Sequence, residues 1–159
     1  MDKARLFESW KIRLEEARRQ ALQRQQEARS GMRVDAGHRP ANRGERASVT
    51  SQGYLAEGLN QRLSALEDAL GLMARVEPTP REQVMIGALT KVESESGESL
   101  WFVVLPGGDA SLLESEGQML TVLSQSAPFV RCFLGAKVGD EIEMEIPNRK
   151  GFWSVEEIV

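Results

Sequence analysis

The sequence predicts an α+β fold, with an N-terminal antiparallel coiled-coil hairpin of two α-helices followed by a small antiparallel β domain that contains one short helix. Three observations support this prediction. Residues 3–29 lack both proline and glycine, and residues 49–75 carry a coiled-coil repeat. Beyond these helices the apolar residues no longer follow a helical period. We therefore assign residues 1–76 to the hairpin, 77–83 to a linker and 84–159 to the β domain.

The first predicted helix is rich in Ala, Leu, Arg, Gln and Glu, which are strong helix formers. Its apolar residues recur at alternating steps of three and four, which is the spacing of one helix face. Beyond Ala21 the pattern weakens, because Arg24 occupies the next position and only Ala28 resumes it. We expect close packing near the start of this helix and thin packing near its end. The apolar face consists of Phe7, Trp10, Leu14, Ala17 and Ala21.

The second predicted helix also alternates apolar residues by three and four, which is the a/d pattern of a coiled coil. Ser48 or Thr50 is expected to cap its N-terminus, and Pro78 and Pro80 to prevent its continuation. Gly58 lies inside this helix and should lower its stability by about 1 kcal/mol relative to alanine. A glycine there would also permit close approach of a neighbouring helix. The apolar positions are Ala56, Leu59, Leu63, Leu66, Leu70 and Met73.

The two helices are joined by a single connection, so we expect them to fold back on each other as an antiparallel hairpin. Each helix of about 27 residues would be about 40 Å long. At the base of the hairpin, Trp10 and Leu14 would face Leu66 and Leu70, and the loop 30–48 would form the tip. The alternative is a coiled coil that dimerises through the same leucines and acts as an adaptor. An intramolecular hairpin predicts a monomer.

The second half of the chain predicts about five strands and one short helix. The segment 119–123 fits either a strand or part of a short helix. Pro128–Leu134 is predicted as the short helix, opened by its proline and closed by Gly135. Four aromatic residues are expected to supply much of the core, namely Trp101, Phe133, Phe152 and Trp153. The predicted strands are 84–89, 100–105, 119–123, 141–146 and 152–159.

Composition excludes several classes of protein. The 159 residues include one cysteine, Cys132, and one histidine, His38, which excludes an internal disulfide framework and multi-cysteine or histidine-rich metal sites. The chain contains no apolar run long enough to span a membrane. Its charged N-terminal stretch does not resemble a signal peptide, so we expect a cytoplasmic protein. We also expect no cofactor.

Charge is divided unevenly along the chain. Residues 1–53 carry a net charge of +5 and residues 54–159 a net charge of −9, which together give −4. The tip loop contributes Arg33, Arg39, Arg43 and Arg46 against only Asp35 and Glu45. These guanidinium groups could contact phosphate or carboxylate surfaces. The simpler interpretation is a solvated loop with no target.

One segment of the β half identifies a family. Ala127-Pro128-Phe129-Val130-Arg131-Cys132-Phe133-Leu134-Gly135-Ala136-Lys137-Val138-Gly139-Asp140 resembles the Gre family of bacterial transcript-cleavage factors. That family carries Ser-Pro, a short helix with a basic residue, then Gly, a basic residue and Val-Gly-Asp. Ala127 replaces the serine here. The matching residues are Pro128, Arg131, Gly135, Lys137, Gly139 and Asp140.

The resemblance implies a fold and a partner. Gre factors have an antiparallel coiled coil followed by a β domain of FKBP-like fold. They are not enzymes themselves; they dock the β domain on the rim of the RNA polymerase secondary channel and insert the coiled coil toward the active centre. By resemblance, the six matching residues are candidates for docking on polymerase, and nucleic acid is met only within the elongation complex. The FKBP-like fold also leaves open prolyl isomerase activity, although no isomerase signature is recognisable.

The tip departs from the family pattern. Cleavage-stimulating Gre factors carry Asp-x-x-Glu at the tip, where the two carboxylates help to hold a catalytic Mg²⁺. Here Asp35 is followed three residues later by His38, and Arg39 comes next. Asp35 is therefore only a weak candidate for sharing a Mg²⁺ ion, and a guanidinium beside the metal raises the cost of binding it. We expect a regulatory or inhibitory role, with Asp35, His38, Arg39, Arg43 and Glu45 as tip candidates near the polymerase active site.

Overall fold

The computed structural model describes the backbone of residues 1–32, 43–147 and 149–159, and the side chains of residues 1–29, 53–147 and 149–159. The chain divides into two compact units. The first consists of Met1–Lys11 together with Gly71–Val159, and the second of Ile12–Leu70. The first few residues of the chain thus belong to the same unit as the β strands.

Two long helices make up the N-terminal part of the fold, α1 (Lys3–Met32) and α2 (Arg43–Met73). Asp2 precedes α1, and its carboxylate accepts a 3.0 Å hydrogen bond from the Arg5 backbone N–H, which is the geometry of an N-cap. Because α2 begins at Arg43, Ser48 and Thr50 lie inside it and the predicted cap is wrong. Parts of the predicted tip loop, residues 30–32 and 43–48, have helical backbone.

The second unit is a hairpin of antiparallel helices, as predicted. The Arg18 guanidinium lies 3.2 Å from a Glu67 carboxylate oxygen, and seven residues further along α1 the Gln25 amide donates to the Asn60 side chain. This register differs by about five residues from the predicted one, in which Leu14 faces Leu66. The predicted apolar positions of α2 do face inward. Ala56, Leu59, Leu63, Leu66 and Leu70 are half-buried, and Met73 is buried.

A six-stranded mixed sheet dominates the first unit, in the order β3-β4-β2-β1-β6-β5. Neighbouring strands are antiparallel except β2 and β4, which are parallel. A short helix, α3 (Pro128–Phe133), lies between β4 and β5 in the chain. The predicted α+β fold class is confirmed, although the sheet has six strands instead of about five and is mixed instead of antiparallel throughout. The strands are β1 (Leu89–Ser94), β2 (Ser99–Val104), β3 (Asp109–Ser115), β4 (Gln118–Leu123), β5 (Glu141–Ile146) and β6 (Arg149–Ile158).

The strand prediction fails at three places, one of which is β1, because its residues 90–94 were not predicted as a strand. Residues 84–88 precede β1 as an irregular segment, because Gly87 has φ of +87° and Val84 bonds across to Gly135 and Ala136 rather than to a strand. Residues 109–115 form the edge strand β3, which the polar composition of that stretch hides. The ambiguous segment 119–123 belongs to the strand β4.

The core of the first unit lies where α3 packs on the sheet. Of the four aromatic residues predicted there, Phe133 and Trp153 are buried, Trp101 is half-buried and Phe152 is 43% exposed. Phe102, which was not predicted, is fully buried. The buried cluster comprises Val84, Val92, Phe102, Val104, Val130, Phe133, Ala136, Met144, Trp153 and Val155.

The start of α1 is fixed within the same unit by two buried side chains. Trp10 is 1% exposed, and its indole N–H donates a 2.9 Å hydrogen bond to the Pro106 carbonyl oxygen. The Lys3 ammonium donates to the carbonyl oxygens of Thr79 and Val159 at 2.7 and 2.8 Å. Within the described ranges, neither α1, α2 nor α3 is long and apolar enough to cross a membrane.

Candidate docking surface

The short helix α3 carries the first candidate residues. Pro128 occupies its first turn, where the missing N–H costs nothing. Ala127 stands at the N-cap and makes no side-chain capping bond, so its substitution for the family serine leaves this end uncapped. The chain leaves the helix through Gly135, whose φ of +84° favours glycine.

The helix presents two different faces. Val130 and Phe133 are fully buried against the sheet, and the Phe129 ring packs 5.1 Å from the Phe133 ring, centroid to centroid. Arg131 and Leu134 lie on the opposite side and are exposed. Burial of the first face therefore fixes the direction in which the second points.

The loop after α3 is held from both sides by backbone hydrogen bonds. The Gly135 N–H donates to the Val84 carbonyl at 2.9 Å, and the Gly139 N–H donates to the Val155 carbonyl at 2.8 Å. Gly139 has φ of +90°, which explains the glycine at this position. The Asp140 carboxylate accepts a 2.8 Å bond from the Lys137 backbone N–H. Asp140, Gly135 and Gly139 therefore shape the loop, whereas the Lys137 side chain is free to reach solvent.

Four exposed side chains make up what we call the docking surface, namely Arg131, Leu134, Lys137 and Val138. Leu134 is 38% exposed and Val138 57% exposed. In the described part of the chain, neither Arg131 nor Lys137 has a carboxylate within ion-pair distance. Two unpaired cations beside two exposed apolar side chains, on a rigid support, are typical of a surface that contacts another macromolecule.

A groove continues the docking surface and was not predicted from the sequence. It has a volume of about 470 Å³, and Leu72, Ile86 and Pro106 form an apolar floor beside Arg131 and Leu134. Leu72 is 51% exposed although it is a large apolar residue at the end of α2. No local sequence signal indicates this groove, because its walls come from segments far apart in the chain.

The tip candidates have a different outcome. Asp35, His38 and Arg39 lie outside the described residues, as does the weak Mg²⁺ site proposed at Asp35. Arg43 and Glu45 lie in the first turns of α2, where only the backbone is described. Within the described ranges, no group of three His, Cys, Asp or Glu side chains could hold a metal ion.

Two curated proteins match the sequence, although no protein-family model does. The transcription inhibitor protein Gfh1 of Thermus aquaticus is 28% identical over 93 residues, which cover 58% of this chain and 57% of that protein. The transcription elongation factor GreA of Sulfurovum sp. (strain NBC37-1) is 26% identical over 104 residues, which cover 64% of this chain and 60% of that protein. The matches thus span less than two thirds of either relative.

Two solved structures align with more of the chain than the two curated proteins do, but at lower sequence identity. The Gfh1 structure of Thermus thermophilus covers 94% of both chains with a TM-score of 0.40 and 22% sequence identity. The Thermus aquaticus Gfh1 structure covers 92% of both chains with a TM-score of 0.40 and 24% identity. Likeness this weak adds no argument to the two sequence matches.

The chain is an α+β protein in which an antiparallel helical hairpin precedes a six-stranded sheet with one short helix. In sequence it is similar to a transcription inhibitor protein, Gfh1, and to a transcription elongation factor, GreA. These two similarities confirm the resemblance to Gre-family factors predicted from the sequence.

Proposed function

We propose that this protein binds bacterial RNA polymerase at the secondary channel, inserts its helical hairpin toward the active centre, and inhibits or modulates RNA synthesis rather than stimulating RNA cleavage. The observation that carries the proposal is His38, which stands three residues after Asp35 where cleavage-stimulating Gre factors have a glutamate. The protein would act on the polymerase and would have no catalytic activity of its own.

The character of the tip supports inhibition. Mg²⁺ favours charged oxygen ligands, and two carboxylates three residues apart supply more of that charge than one carboxylate beside an imidazole. Arg39 adds a permanent positive charge next to the histidine. Such a tip is suited to pairing with phosphates or with the catalytic carboxylates of the polymerase, and this would compete with the metal and the substrate.

The names of the two relatives support a role in transcription but do not decide between inhibition and another effect on elongation. One is a transcription inhibitor protein and the other a transcription elongation factor. Docking through Arg131 and Lys137, together with the exposed Leu134 and Val138, is the second part of the proposal. The cation pair would meet an acidic surface of the polymerase, and the apolar groove beside it would accept an apolar side chain.

A cleavage and synthesis assay on backtracked elongation complexes tests the tip. We expect the wild-type protein to slow nucleotide addition and to leave backtracked RNA cleaved only at the rate of the polymerase alone. The variant His38→Glu restores the Asp-x-x-Glu spacing, so it should gain cleavage stimulation, whereas the conservative control His38→Gln should not. Strong cleavage by the wild type that is lost in Asp35→Ala would overturn the inhibitory role.

A binding assay with purified polymerase tests the docking surface. The double variant R131E/K137E should bind at least about tenfold more weakly, because close charge pairs across an interface are worth more than that factor. The matched control is Lys150→Glu, which makes the same kind of charge change at an exposed position near the start of β6. Equal affinity of R131E/K137E and wild type would refute this part of the proposal.

Light scattering of the purified protein tests the alternative of a dimerising adaptor. A hairpin that satisfies its own apolar seam should be a monomer, whereas a dimer dissociated by Leu63→Ala would favour the adaptor. The cytoplasmic location predicted from the sequence agrees with bacterial RNA polymerase as the proposed partner.

A further inference from the structure

A second concave site lies in the first unit, and it shares no lining residue with the docking surface or its groove. It has a volume of about 350 Å³, within the size range of small-molecule sites. Strand β2 supplies Leu100, Trp101 and Phe102 to its walls, and Phe129 of α3 and Arg149 of β6 complete it on the other side. The walls are therefore mostly apolar and aromatic, with one charged group.

Arg149 is held in place by the aromatic residues around it. Its guanidinium carbon lies 4.9 Å from the centroid of the Phe129 ring and 5.4 Å from that of Trp153. The Phe129 ring in turn packs edge-on against Phe102, 5.5 Å between centroids. A guanidinium stacked in this way is pre-organised, because little of its conformational freedom remains to be lost when an anion binds.

The position of Glu98 shows that the Arg149 guanidinium can bind a carboxylate. A Glu98 oxygen lies 3.3 Å from one terminal nitrogen of Arg149. The Glu98 side chain is 49% exposed, so the pair gains little from its mutual attraction and can be exchanged. Arginine has five N–H donors, so a second carboxylate can bind beside Glu98 or replace it.

A strained residue forms part of the opposite wall. Ala110 has φ of +65°, a conformation that residues with a side chain rarely adopt. It lies at the irregular start of β3, where the register with β4 shifts between Asp109 and Leu112. Strain of this kind persists at sites where the backbone shape serves a purpose. Here the shape places the small methyl group of Ala110 at the cavity.

From this geometry we infer that the cavity between β2, α3 and the start of β6 is a binding site for a small organic acid, one with an aromatic or branched apolar body and a single carboxylate. The apolar walls would hold the body, and Arg149 would hold the carboxylate. Charge complementarity selects an acid because Arg149 is the charged group that lines the cavity. The inference is independent of any role in transcription.

Titration of the full chain with a matched pair of probes tests the inference. N-acetyl-L-phenylalanine carries the carboxylate, and N-acetyl-L-phenylalaninamide has the same shape without the charge. We expect saturable binding of the acid with a Kd of about 1 mM or tighter, and at least tenfold weaker binding of the amide. Fluorescence of Trp101 and backbone NMR shifts at 100–102, 110 and 129 would report it. No saturable binding of the acid, or equal binding of acid and amide, would overturn the inference.

Two variants separate recognition from folding. Arg149→Met keeps the apolar stem and should weaken acid binding at least tenfold, whereas Lys150→Met removes a neighbouring charge and should have no effect. Glu98→Gln should tighten binding a few-fold, because it removes the carboxylate that competes for Arg149, and a residue with only a structural role would not do this. Weaker or unchanged binding in Glu98→Gln contradicts the proposed site. A peptide ending in phenylalanine that binds more than tenfold tighter than the free acid would overturn the assignment to a small acid.

Discussion

The two units of this protein bury their apolar residues very differently. In the unit that contains the sheet, Phe102, Phe133 and Trp153 belong to one continuous cluster that is almost entirely shielded from solvent. In the hairpin of residues 12–70, the leucines of α2 are only half-buried. The described residues that are buried there are Leu14, Ala21, Gln25 and Ala69. The difference indicates that most of the folding free energy resides in the first unit.

The two units also have different roles in the proposed function, one in docking on the polymerase and the other in reaching its active centre. The docking surface stands on the well-packed unit, where hydrogen bonds to Val84 and Val155 fix its loop. The tip is carried by helices of 30 and 31 residues that depend on helix propensity and a narrow seam. A partner that encloses the hairpin would supply the burial that the hairpin lacks when free. The following predictions use mutations in each unit to measure this difference.

The largest effect is expected at Phe133, which is fully buried. Phe133→Ala should lower the free energy of unfolding by about 3–5 kcal/mol, because it removes a ring from a packed core and leaves a cavity. Phe152→Ala removes the same ring at a site that is 43% exposed and should cost much less. Urea denaturation measures both. Equal losses for the two variants would show that the cluster is not the principal core.

A pH-dependent effect of somewhat smaller size is expected at Lys3. Burial, with a further contribution from the Arg81 charge, lowers the pKa of Lys3 from 10.5 to about 8. Between these two values the unfolded chain binds the proton more tightly than the folded chain, so the Lys3 contribution to stability rises as the pH rises. Relative to Lys3→Met, the stability of the wild type should increase as the pH rises from 8 to 10.5. Parallel pH profiles of the two proteins would contradict this.

A smaller loss of unfolding free energy is expected when an apolar side chain is truncated in the hairpin. Leu63 is half-buried in the seam of α2, so Leu63→Ala should destabilise by about 1–2 kcal/mol, at the low end of leucine truncations. Hydrogen exchange should show the loss in residues 53–70 while the sheet stays protected. A loss as large as that of Phe133→Ala, or one spread over the sheet, would remove the contrast between the units.

The smallest effect is a gain in stability. A Cβ added at Gly58 meets no atom within 4 Å, so the close helix approach predicted for this glycine is wrong. Gly58→Ala should stabilise the hairpin by about 0.5–1 kcal/mol through helix propensity alone. The control is Gly139→Ala, which should destabilise because φ is +90° there. Thermal unfolding followed by circular dichroism distinguishes the two directions.

The sequence predicts some elements better than others for physical reasons. Residues 141–146 alternate charged and apolar side chains without exception, and β5 has those bounds. The run 84–88 is as apolar as a strand, but Val84 bonds to the loop after α3, and only Gly87 and Ala88 bond to a strand, at Val104 of β2. The apolar pattern of a sequence indicates which residues are buried. It does not distinguish a buried strand from a buried irregular segment.

The candidate site was also only partly predictable from the sequence. Arg131 and Lys137 were proposed as candidates because they belong to a contiguous motif that resembles a known family. The groove beside them, with Leu72 and Ile86, was missed because its residues come together only through the tertiary fold. The cavity around Arg149 was missed for the same reason, although Trp101, one of its lining residues, was predicted as part of an aromatic core.

Photocrosslinking from the tip to RNA polymerase tests the central proposal most directly. A photoreactive residue at position 38, with position 150 as the control, would be activated in the complex and the crosslinked peptides mapped by mass spectrometry. The proposal predicts crosslinks from position 38 to the catalytic centre of the polymerase, and none there from position 150. A bound protein that crosslinks from position 38 only to the outer surface of the polymerase would contradict it.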